Sequence, residues 1–375
     1  MKKICIATST RADWGILTPL AESLRNESEI ELQILATNMH LLDEYGFTAN
    51  EIEAGGFKID ARVEMPPSEV GAVARAVAMG ECLAGTAPEL ERLSPDAIVI
   101  LGDRFEMLAI ASAATLLLIP IIHISGGETT GGAIDDSIRH AITQLASLHL
   151  VSAEPYRQRV IRMGANPEKV VNTGSLGVWN MMNRPYLTRE ELASTVGFDA
   201  ERRFAVATFH PATLDSASPG LQCRQMLAAL DEFPDIFVVL TYPNNDTGSE
   251  EVIEAINEWI EKNSDRGVFI KSLGLKRYLS AIREAEFVIG NSSSGIIEVP
   301  SVKTPVINIG VRQQGRLHGE GVLDCGNSVT DIAKAIKTVM SDEFNDICRR
   351  ADNPYYQPDT LNKTVDAIKE FVNNV

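Results

Sequence analysis

The sequence predicts an α/β protein made of two doubly wound domains, each with a parallel sheet covered by helices on both faces. Short apolar runs alternate with longer helical patterns, and continuous apolar runs of this length are typical of strands buried on both faces. A polar, proline-containing stretch over residues 183–203 interrupts the alternation, which then starts again. The length of 375 residues is sufficient for two or three domains.

Ten apolar runs are predicted to form strands, five on each side of the polar stretch. They cover residues 3–8, 31–37, 97–101, 120–124 and 149–151, and then 204–208, 236–241, 268–270, 287–289 and 306–309. A last helix with an apolar face is predicted near residues 360–375.

Composition and charge exclude several classes of partner. Hydrophobic residues make up 45% of the chain and charged residues 23%, as in an ordinary globular protein. With 34 basic against 51 acidic residues, the net charge of −17 repels nucleic acid and anionic lipid. The most apolar stretch, residues 107–124, contains Pro120 and His123 and predicts a helix followed by a strand rather than a membrane span. We therefore expect neither nucleic acid nor a membrane as a partner.

The cysteines and the N-terminus favour a cytoplasmic protein. The five cysteines are scattered and show no CxxC or Cys/His ligand spacing, which predicts a reducing compartment and no structural zinc. The apolar run at residues 4–7 is too short for a secretory signal.

Polar residues directly follow most of the predicted strands. In doubly wound sheets ligands bind beyond the carboxyl ends of the strands, so these residues are the candidates for a site. We expect them to converge on one edge of each sheet, with the two edges able to face each other across a cleft. The polar segments are residues 9–11, 38–40, 102–104 and 125–128, and then 210–211, 243–246, 291–295 and 310–312.

Residues 291–295, Asn-Ser-Ser-Ser-Gly, outline an anion site. They lie between a strand and the apparent start of a helix, where free backbone N–H groups and the helix dipole favour phosphate. Glu298 follows in that helix and would accept hydrogen bonds from ribose hydroxyls. The alternatives are that the serines only cap the helix and that Glu298 only complements its dipole.

Four arginines, Arg11, Arg104, Arg312 and Arg316, lie in predicted loops after strands. At this edge they can focus a positive potential and offer forked donors to a diphosphate. Each one alone is also explained by a surface ion pair, and their shared position is what favours a ligand. The sequence has neither a Walker A motif nor GxGxxG at the first strand turn, so it predicts neither an ATPase nor a simple dehydrogenase.

Asp103, Glu128, Asp135 and Asp136 lie near adjacent strand ends, with His140 one turn beyond. Carboxylates gathered in this way suit proton abstraction and return. Alternatively, Asp135 or Asp136 caps the helix that follows, and Asp103 only ends a strand. A metal could use the same carboxylates, although no HxH, HExxH or DxD spacing is present.

The histidines divide into two groups. His210 follows the first strand of the second half and precedes Pro211, so its ring can donate to a phosphate or a leaving oxygen. His40 occupies a comparable loop in the first half and could face the same ligand. His123 and His149 lie within apolar runs and are interpreted as core residues with satisfied ring nitrogens.

Eight of these segments follow one another in an order that covers nearly the whole chain. They are residues 9–15 (STRADWG), 38–40 (NMH), 102–106 (GDRFE), 123–128 (HISGGE), 135–140 (DDSIRH), 209–211 (FHP), 291–295 (NSSSG) with Glu298, and 312–316 (RQQGR). Together they closely resemble the hydrolysing UDP-N-acetylglucosamine 2-epimerases.

The resemblance implies a fold like that of the GT-B glycosyltransferases, with two Rossmann-like domains, a cleft between them and a C-terminal helix that returns to the first domain. On this basis we predict an N-terminal domain over residues 1–175, with helix 358–375 packed on it, and a UDP-binding domain over residues 176–357. The resemblance also implies self-association as a dimer or tetramer.

The activity implied is conversion of UDP-N-acetylglucosamine and water to N-acetylmannosamine and UDP, the entry step to sialic acid. It proceeds by elimination to 2-acetamidoglucal and hydration with inversion at C2. Carried over residue by residue, Asp103, Glu128 and Asp135 do acid/base work in an unresolved order, and His210 lies beside the diphosphate. Neither a cofactor nor a metal is expected. The UDP- and sugar-binding residues implied are Arg11, His40, Arg104, Asn244, Ser292, Ser293, Glu298 and Arg312.

Ser125 departs from the family pattern, because several relatives have a glutamate there, two residues after the strand histidine. This chain would then use Glu128 or another carboxylate, and its sugar could differ. Related enzymes act on UDP-2,4-diacetamido-2,4,6-trideoxyglucose in legionaminic acid synthesis. The alternatives are therefore that substrate, a GT-B glycosyltransferase, or an inert nucleotide-sugar sensor.

Overall fold

The computed structural model describes residues 1–66 and 71–374, and contacts divide the chain into two compact units. The first unit comprises Met1–Glu128, Asp135–Trp179 and Tyr355–Val375, and the second comprises Thr129–Ile134 and Asn180–Pro354. Residue 375, the last of the predicted C-terminal helix, is outside the described residues.

Each unit contains one sheet in which all paired strands are parallel, as the apolar runs predicted. Within the described residues the strands are β1 Lys2–Thr8, β2 Ile30–Thr37, β3 Ala61–Val63, β4 Ala97–Leu101, β5 Ile121–Ile124, β6 Leu148–Val151, β7 Val170–Asn172, β8 Phe204–Thr208, β9 Phe237–Thr241, β10 Gly267–Ile270, β11 Phe287–Gly290, β12 Val306–Ile309 and β13 Val322–Cys325. The predicted α/β fold with two parallel sheets is confirmed, and three short strands that were not predicted, β3, β7 and β13, extend the sheets.

Helices connect the strands. They are α1 Arg11–Asn26, α2 Ala49–Ala54, α3 Ala72–Leu93, α4 Phe105–Leu116, α5 Asp135–Leu145, α6 Glu154–Arg162, α7 Leu176–Asn183, α8 Arg189–Val196, α9 Pro219–Asp231, α10 Ser249–Lys262, α11 Gly274–Glu284, α12 Ser293–Ile297, α13 Val329–Val339, α14 Asp342–Arg350 and α15 Thr360–Asn373. The apolar stretch at residues 107–124 forms most of α4 and then β5, and no described helix is both long and apolar enough to cross a membrane.

The strand order reverses once in each sheet. In the first unit the order is β3-β2-β1-β4-β5-β6-β7, and in the second it is β10-β9-β8-β11-β12-β13. Ligands of doubly wound sheets bind where the order reverses, because the connections leave the sheet on opposite faces there. The loops after β1 and β4, and those after β8 and β11, are therefore the places where this topology makes a site.

The central strands of the first sheet are buried on both faces, which explains their continuous apolar sequence. Ile4 and Ile6 of β1 pack in one cluster with α1, whereas Cys5 and Ala7 pack in a second cluster with α3 and α4. Successive side chains of a strand point to opposite faces, so an apolar residue is needed at every position.

The C-terminal helix α15 completes the core of the first unit. Val365, Ile368 and Phe371 pack in the same cluster as the apolar face of α1. Lys369 makes an ion pair of 2.5 Å with Glu27 at the end of α1. Just before α15, the hydroxyl of the fully buried Tyr355 lies 2.9 Å from that of Tyr156 on α6.

Candidate active site

In the first unit a buried arginine joins two of the predicted carboxylates. Arg139 on α5 is only 2% exposed, and its guanidinium forms ion pairs with Asp103, after β4, and with Glu128, after β5. The distance from Nη1 of Arg139 to Oε2 of Glu128 is 3.1 Å. Hydrogen bonds between ionised groups are shorter and stronger than neutral ones, so Arg139 holds the ends of two neighbouring strands together.

The carboxylates differ in their access to solvent. Glu128 is 1% exposed, and its Oε1 accepts a hydrogen bond of 2.6 Å from the hydroxyl of Ser152. The side chain of Asp103 is 21% exposed. Asp135 is half-buried in the first turn of α5, four residues before Arg139, so the two lie on the same face of the helix. Asp103 and Asp135 are thus open to a ligand, whereas Glu128 is enclosed.

The residue next to Asp135 has a different partner. Asp136 forms an i,i+4 pair with His140, with 3.5 Å between Oδ2 and Nε2. Burial lowers the pKa of His140, and the charge of Asp136 opposes this shift.

The loop after β1 is fixed by a capping box that starts α1 at Arg11. Thr10 Oγ1 accepts a hydrogen bond of 3.2 Å from the backbone N–H of Asp13, whose carboxylate accepts one of 3.1 Å from the N–H of Thr10. Burial raises the pKa of Asp13, and the nearby Arg104 opposes this shift. The half-buried Arg11 is therefore held at the carboxyl end of β1 by local sequence.

Arg104 is oriented by a buried partner rather than by a surface ion pair. Its Nε donates to Oε1 of Glu106 at 2.7 Å, and the Glu106 side chain is fully buried. A guanidinium held in one orientation loses less conformational entropy when it binds a ligand.

His40 supports the loop after β1 and is fully buried. Its Nε2 lies 3.0 Å from Thr8 Oγ1 and its Nδ1 lies 2.8 Å from Thr48 Oγ1. Its backbone N–H donates to the carbonyl of Ser9 at 3.2 Å. Both ring nitrogens thus lie within hydrogen-bond distance of threonine hydroxyls. That His40 binds the sugar stays a prediction.

Three buried histidines, His40, His123 and His149, make the first unit sensitive to acid. Burial lowers the pKa of each of them to about 4. Because an unfolded histidine titrates near its ordinary value of 6.5, the unfolded chain binds these protons as the pH falls below that value while the folded chain does not. Each histidine is expected to destabilise the fold by on the order of 3 kcal/mol between neutral pH and pH ~4.

The measurement is the free energy of unfolding by urea at several pH values between about 5 and 6.5, a window above the ordinary titration of carboxylates. We expect the free energy of unfolding to decrease as the pH is lowered in the wild type. In His40→Gln it should decrease less steeply. An unchanged slope in His40→Gln would contradict the buried, neutral state assigned to this histidine. The control is His318→Gln, because the hydrogen bond that the half-exposed His318 donates to Asp324 raises the pKa of His318.

The interpretation of the two strand histidines as satisfied core residues holds for one of them. His123 Nε2 lies 2.8 Å from the carbonyl of Gly102, and its Nδ1 lies 3.2 Å from Thr143 Oγ1. His149, by contrast, is 3% exposed and its Nδ1 has no hydrogen-bond partner among the described residues. The ring of His149 lines a cavity of about 250 Å³ near the ends of α5 and α6.

In the second unit Asn291 joins the ends of two strands. Its Oδ1 accepts a hydrogen bond of 2.7 Å from the backbone N–H of His210, and its Nδ2 donates at 2.7 Å to the carbonyl of His210. This pairing requires the preceding residue to be glycine. Gly290 has a φ of +137°, and a Cβ there would lie 1.8 Å from the carbonyl oxygen of Thr208.

The ring of His210 is oriented by its neighbour in the next loop. Its Nδ1 accepts a hydrogen bond of 3.1 Å from the backbone N–H of Asn244. A neutral imidazole with Nδ1 as an acceptor carries its proton on Nε2. The buried His210 is therefore set up to donate a hydrogen bond from Nε2.

The segment after β12 is anchored to the same asparagine. Arg312 Nη1 donates to the carbonyl oxygen of Asn291 at 3.0 Å, and Gln313 Nε2 donates to it at 2.9 Å. Arg316 Nη1 in turn donates to Gln313 Oε1 at 2.7 Å. Both arginines are buried, so neither forms the surface ion pair considered as an alternative.

The serine segment begins the short helix α12. Ser292 is its N-cap residue and its side chain makes no capping hydrogen bond, while the half-buried Ser293 opens the helix. The hydroxyl of Ser294 accepts a hydrogen bond of 2.7 Å from Tyr278. Glu298 is buried at the end of α12.

The structure therefore brings together one set of predicted residues in each unit. Asp103 and Glu128 meet at Arg139 in the first unit. In the second, His210 and Arg312 meet at Asn291, and Asn244 donates to the ring of His210. Sequence reasoning singled out neither Arg139 nor Asn291 as a functional residue, although both lie inside segments 135–140 and 291–295. In the part of the chain that the structure describes, no group of three or more His, Cys, Asp or Glu side chains is gathered as metal ligands.

Comparison with curated proteins gives relatives over nearly the full length. The chain is 37% identical over 343 residues to a GDP/UDP-N,N'-diacetylbacillosamine 2-epimerase (hydrolyzing) of Campylobacter jejuni, covering 92% of this chain and 88% of that protein. It is 35% identical to polysialic acid biosynthesis protein P7 of Escherichia coli, covering 99% of this chain and 95% of that protein. It is 31% identical to a UDP-N-acetylglucosamine 2-epimerase of Neisseria meningitidis, covering 100% and 96%.

Solved structures share the fold. A structure described as an S. aureus MnaA–UDP co-structure superimposes with a TM-score of 0.82 at 19% identity, covering 100% of this chain and 98% of the other. The UDP-GlcNAc 2-epimerase from Neisseria meningitidis bound to UDP-GlcNAc gives a TM-score of 0.81 at 15% identity, covering 99% and 100%. The model of one protein family, described as UDP-N-acetylglucosamine 2-epimerase, matches residues 22–369. With that match and relatives above 30% identity over more than nine-tenths of its length, the chain belongs to the UDP-N-acetylglucosamine 2-epimerase family.

Proposed function

We propose that this protein is a hydrolysing 2-epimerase of a UDP-linked 2-acetamido sugar. The observation that carries the proposal is the pair of carboxylates, Asp103 and Glu128, that Arg139 joins at neighbouring strand ends in a member of this family. The relatives named as hydrolysing epimerases support the same activity.

The proposed reaction needs groups that move a proton on a carbon atom. The C2 proton of the sugar is weakly acidic, so its removal must be coupled to departure of the diphosphate from C1. A base takes the proton, the C2–H electron pair becomes the C1–C2 double bond of a glycal, and the C1–oxygen pair leaves with UDP. Water then adds its oxygen to C1 and gives one proton to a base, while the electron pair of the C1–C2 double bond takes a proton from an acid on the opposite face of C2.

We assign the proton-transfer steps to the carboxylates according to how exposed each one is to solvent. Asp103 is partly open to solvent and its orientation is fixed by the ion pair with Arg139, which suits a base that touches the substrate. Asp135, half-buried on the same helical face as Arg139, suits the second proton transfer. Glu128 takes part through Arg139 and Ser152, with which it forms hydrogen bonds.

The second unit is proposed to bind the nucleotide. A donor on Nε2 of His210 and the buried guanidinium of Arg312 suit a diphosphate, and they stabilise the charge that develops when UDP leaves. Glu298 is proposed to bind the ribose. The remaining residues proposed to bind the UDP-sugar are Arg11, Arg104, Asn244, Ser292 and Ser293.

Two sugars are candidates. UDP-N-acetylglucosamine corresponds to the family name and to the Neisseria relative. UDP-2,4-diacetamido-2,4,6-trideoxyglucose, the UDP form of N,N'-diacetylbacillosamine, is supported by the greater identity to the Campylobacter relative, 37% against 31%.

The test is incubation of the purified protein with each UDP-sugar and no acceptor, with free UDP and free sugar measured over time. We expect equal amounts of UDP and a manno-configured free sugar, and the sugar with the larger kcat/KM is the substrate. Product that remains linked to UDP would indicate a non-hydrolysing epimerase. A requirement for an added acceptor would indicate a glycosyltransferase, and tight UDP binding without turnover would indicate a sensor.

The proposal also covers the cellular compartment of the enzyme and its oligomeric state. A reducing cytoplasm suits the five free cysteines. Self-association as a dimer or tetramer is proposed from the family resemblance, and light scattering of the purified protein measures it directly.

A further inference from the structure

The side chain of Asn291 extends the pairing of β8 and β11 beyond the last residues that pair through their main chains. Those last partners are Thr208 and Gly290, and the N–H of Asn291 then donates to the carbonyl of Thr208 at 3.2 Å. Further along, both the N–H and the carbonyl of His210 are bound by the carboxamide of Asn291, each at 2.7 Å. A carboxamide can do this because it carries an acceptor and a donor.

These two hydrogen bonds determine where the His210 ring can lie. The main chain of His210 is held on both sides of its Cα by Asn291, and the ring is held at Nδ1 by the N–H of Asn244 at 3.1 Å. With the backbone and one ring nitrogen fixed, the remaining donor on Nε2 has one direction. All three residues belong to the second unit.

The main chain of Asn291 is fixed independently of its side chain. Its carbonyl accepts hydrogen bonds from Arg312 and Gln313, at 3.0 and 2.9 Å. A change in the carboxamide therefore removes the hold on His210 while the contact between Arg312 and the main chain stays available.

We propose that Asn291 is a positioning residue for His210. The inference rests on the proposed function, in which His210 donates to the diphosphate. Asn291 is 1% exposed and both polar atoms of its carboxamide are engaged by His210, so it acts through that histidine and does not touch the substrate. A misplaced donor stabilises the departing UDP less well, because such donors must be oriented before the reaction.

The first test is Asn291→Leu, which keeps the size of the side chain and removes both hydrogen bonds. We expect kcat to fall about 10²-fold, since misplacement of a group by about 1 Å has this effect. The dissociation constant of UDP should rise about tenfold, because one hydrogen bond to a charged group is displaced. Titration calorimetry with UDP measures this second effect without turnover.

A double-variant cycle separates positioning of His210 from a general effect on the fold. In a His210→Ala background the group that Asn291 positions is absent, so adding Asn291→Leu should lower kcat by a further factor of less than about three. A residue that only stabilises the fold would lower kcat by the same factor in both backgrounds.

A milder variant and a matched control guard against misfolding. Asn291→Ser shortens the side chain and leaves room for a water to pair with the freed backbone groups, so it should fold and still lose about tenfold in kcat. The control is Asn345→Leu on α14, which removes hydrogen bonds from Nδ2 to the carbonyls of Val339 and Ser341. Its kcat and UDP affinity should equal those of the wild type.

The possible outcomes are distinct. Wild-type kcat in Asn291→Leu and Asn291→Ser would overturn the inference and leave the proposed function intact. Equal losses in the wild-type and His210→Ala backgrounds would also overturn it. If the wild type binds UDP but turns over neither UDP-sugar, the proposed function fails. UDP affinity then decides the inference separately, because an unchanged affinity in Asn291→Leu would overturn it.

Discussion

The variant Asp103→Asn should lose turnover of the UDP-sugar by about 10³-fold or more, because a positioned acid or base contributes 10²–10⁴-fold to proton transfer. Asp103 is the carboxylate that is both open to solvent and paired with Arg139. Asparagine keeps the size of the side chain and can still hydrogen-bond, but it cannot accept the C2 proton. UDP affinity should change little, and titration calorimetry with UDP measures it independently of turnover.

A surface carboxylate provides the matched control. Asp346 on α14 is also paired with an arginine, Arg349, but both side chains are more than half exposed. Asp346→Asn removes the same charge and should leave kcat unchanged. If Asp103→Asn is as active as Asp346→Asn, Asp103 has no part in the chemistry.

A second large effect is expected from Arg139→Met. Removing this buried cation leaves Asp103 and Glu128 without their shared counter-charge, and breaking a buried ion pair in this way costs about 3–5 kcal/mol of folding free energy. The same change frees both carboxylates to move, so turnover should fall even at temperatures where the variant remains folded. Urea unfolding midpoints and kcat at a permissive temperature measure the two effects.

Two comparisons make this prediction specific. Arg92→Met on α3 breaks an exposed pair with Glu89, and surface pairs contribute about 0–1 kcal/mol, so its midpoint should hardly move. The double variant Arg139→Met/Glu128→Gln should recover part of the lost stability, because one of the two uncompensated charges is then neutral. If the double variant is less stable than Arg139→Met, the destabilisation has another origin.

Most of the fold follows from hydrophobic pattern, and the exceptions have a physical reason. The long central strands such as β1 and β4 are buried on both faces and therefore read as continuous apolar runs. β3 and β7 have only three residues each and β13 has four, one of which, Asp324, is exposed. All three lie at an edge of their sheet, where backbone pairing with a single neighbour defines the strand and little apolar sequence is required.

The candidate site was predictable in its segments but not in its internal contacts. Asp103, Glu128 and His210 are candidates from the sequence because they follow strands in a doubly wound pattern. Arg139 was not found, because an arginine on a helix is usually exposed and only the fold shows that this one is buried. The sequence feature that could have indicated Arg139 is its spacing of four residues from Asp135, which puts both residues on one helical face.

Gly132 and His40 show what local sequence cannot predict. Both depend on atoms that are distant in sequence: Gly132 contacts Arg312, and the ring of His40 is engaged by Thr8 and Thr48. A loop with two glycines predicts a turn, but not which carbonyl it approaches.

The most direct measurement is proton NMR of the sugar released by the wild-type enzyme in deuterated water. If carboxylates of the first unit remove and return a proton at C2, the manno-configured product carries deuterium at that carbon from the first turnover. A product that retains its original C2 hydrogen would contradict the elimination and, with it, the roles proposed for Asp103 and Asp135.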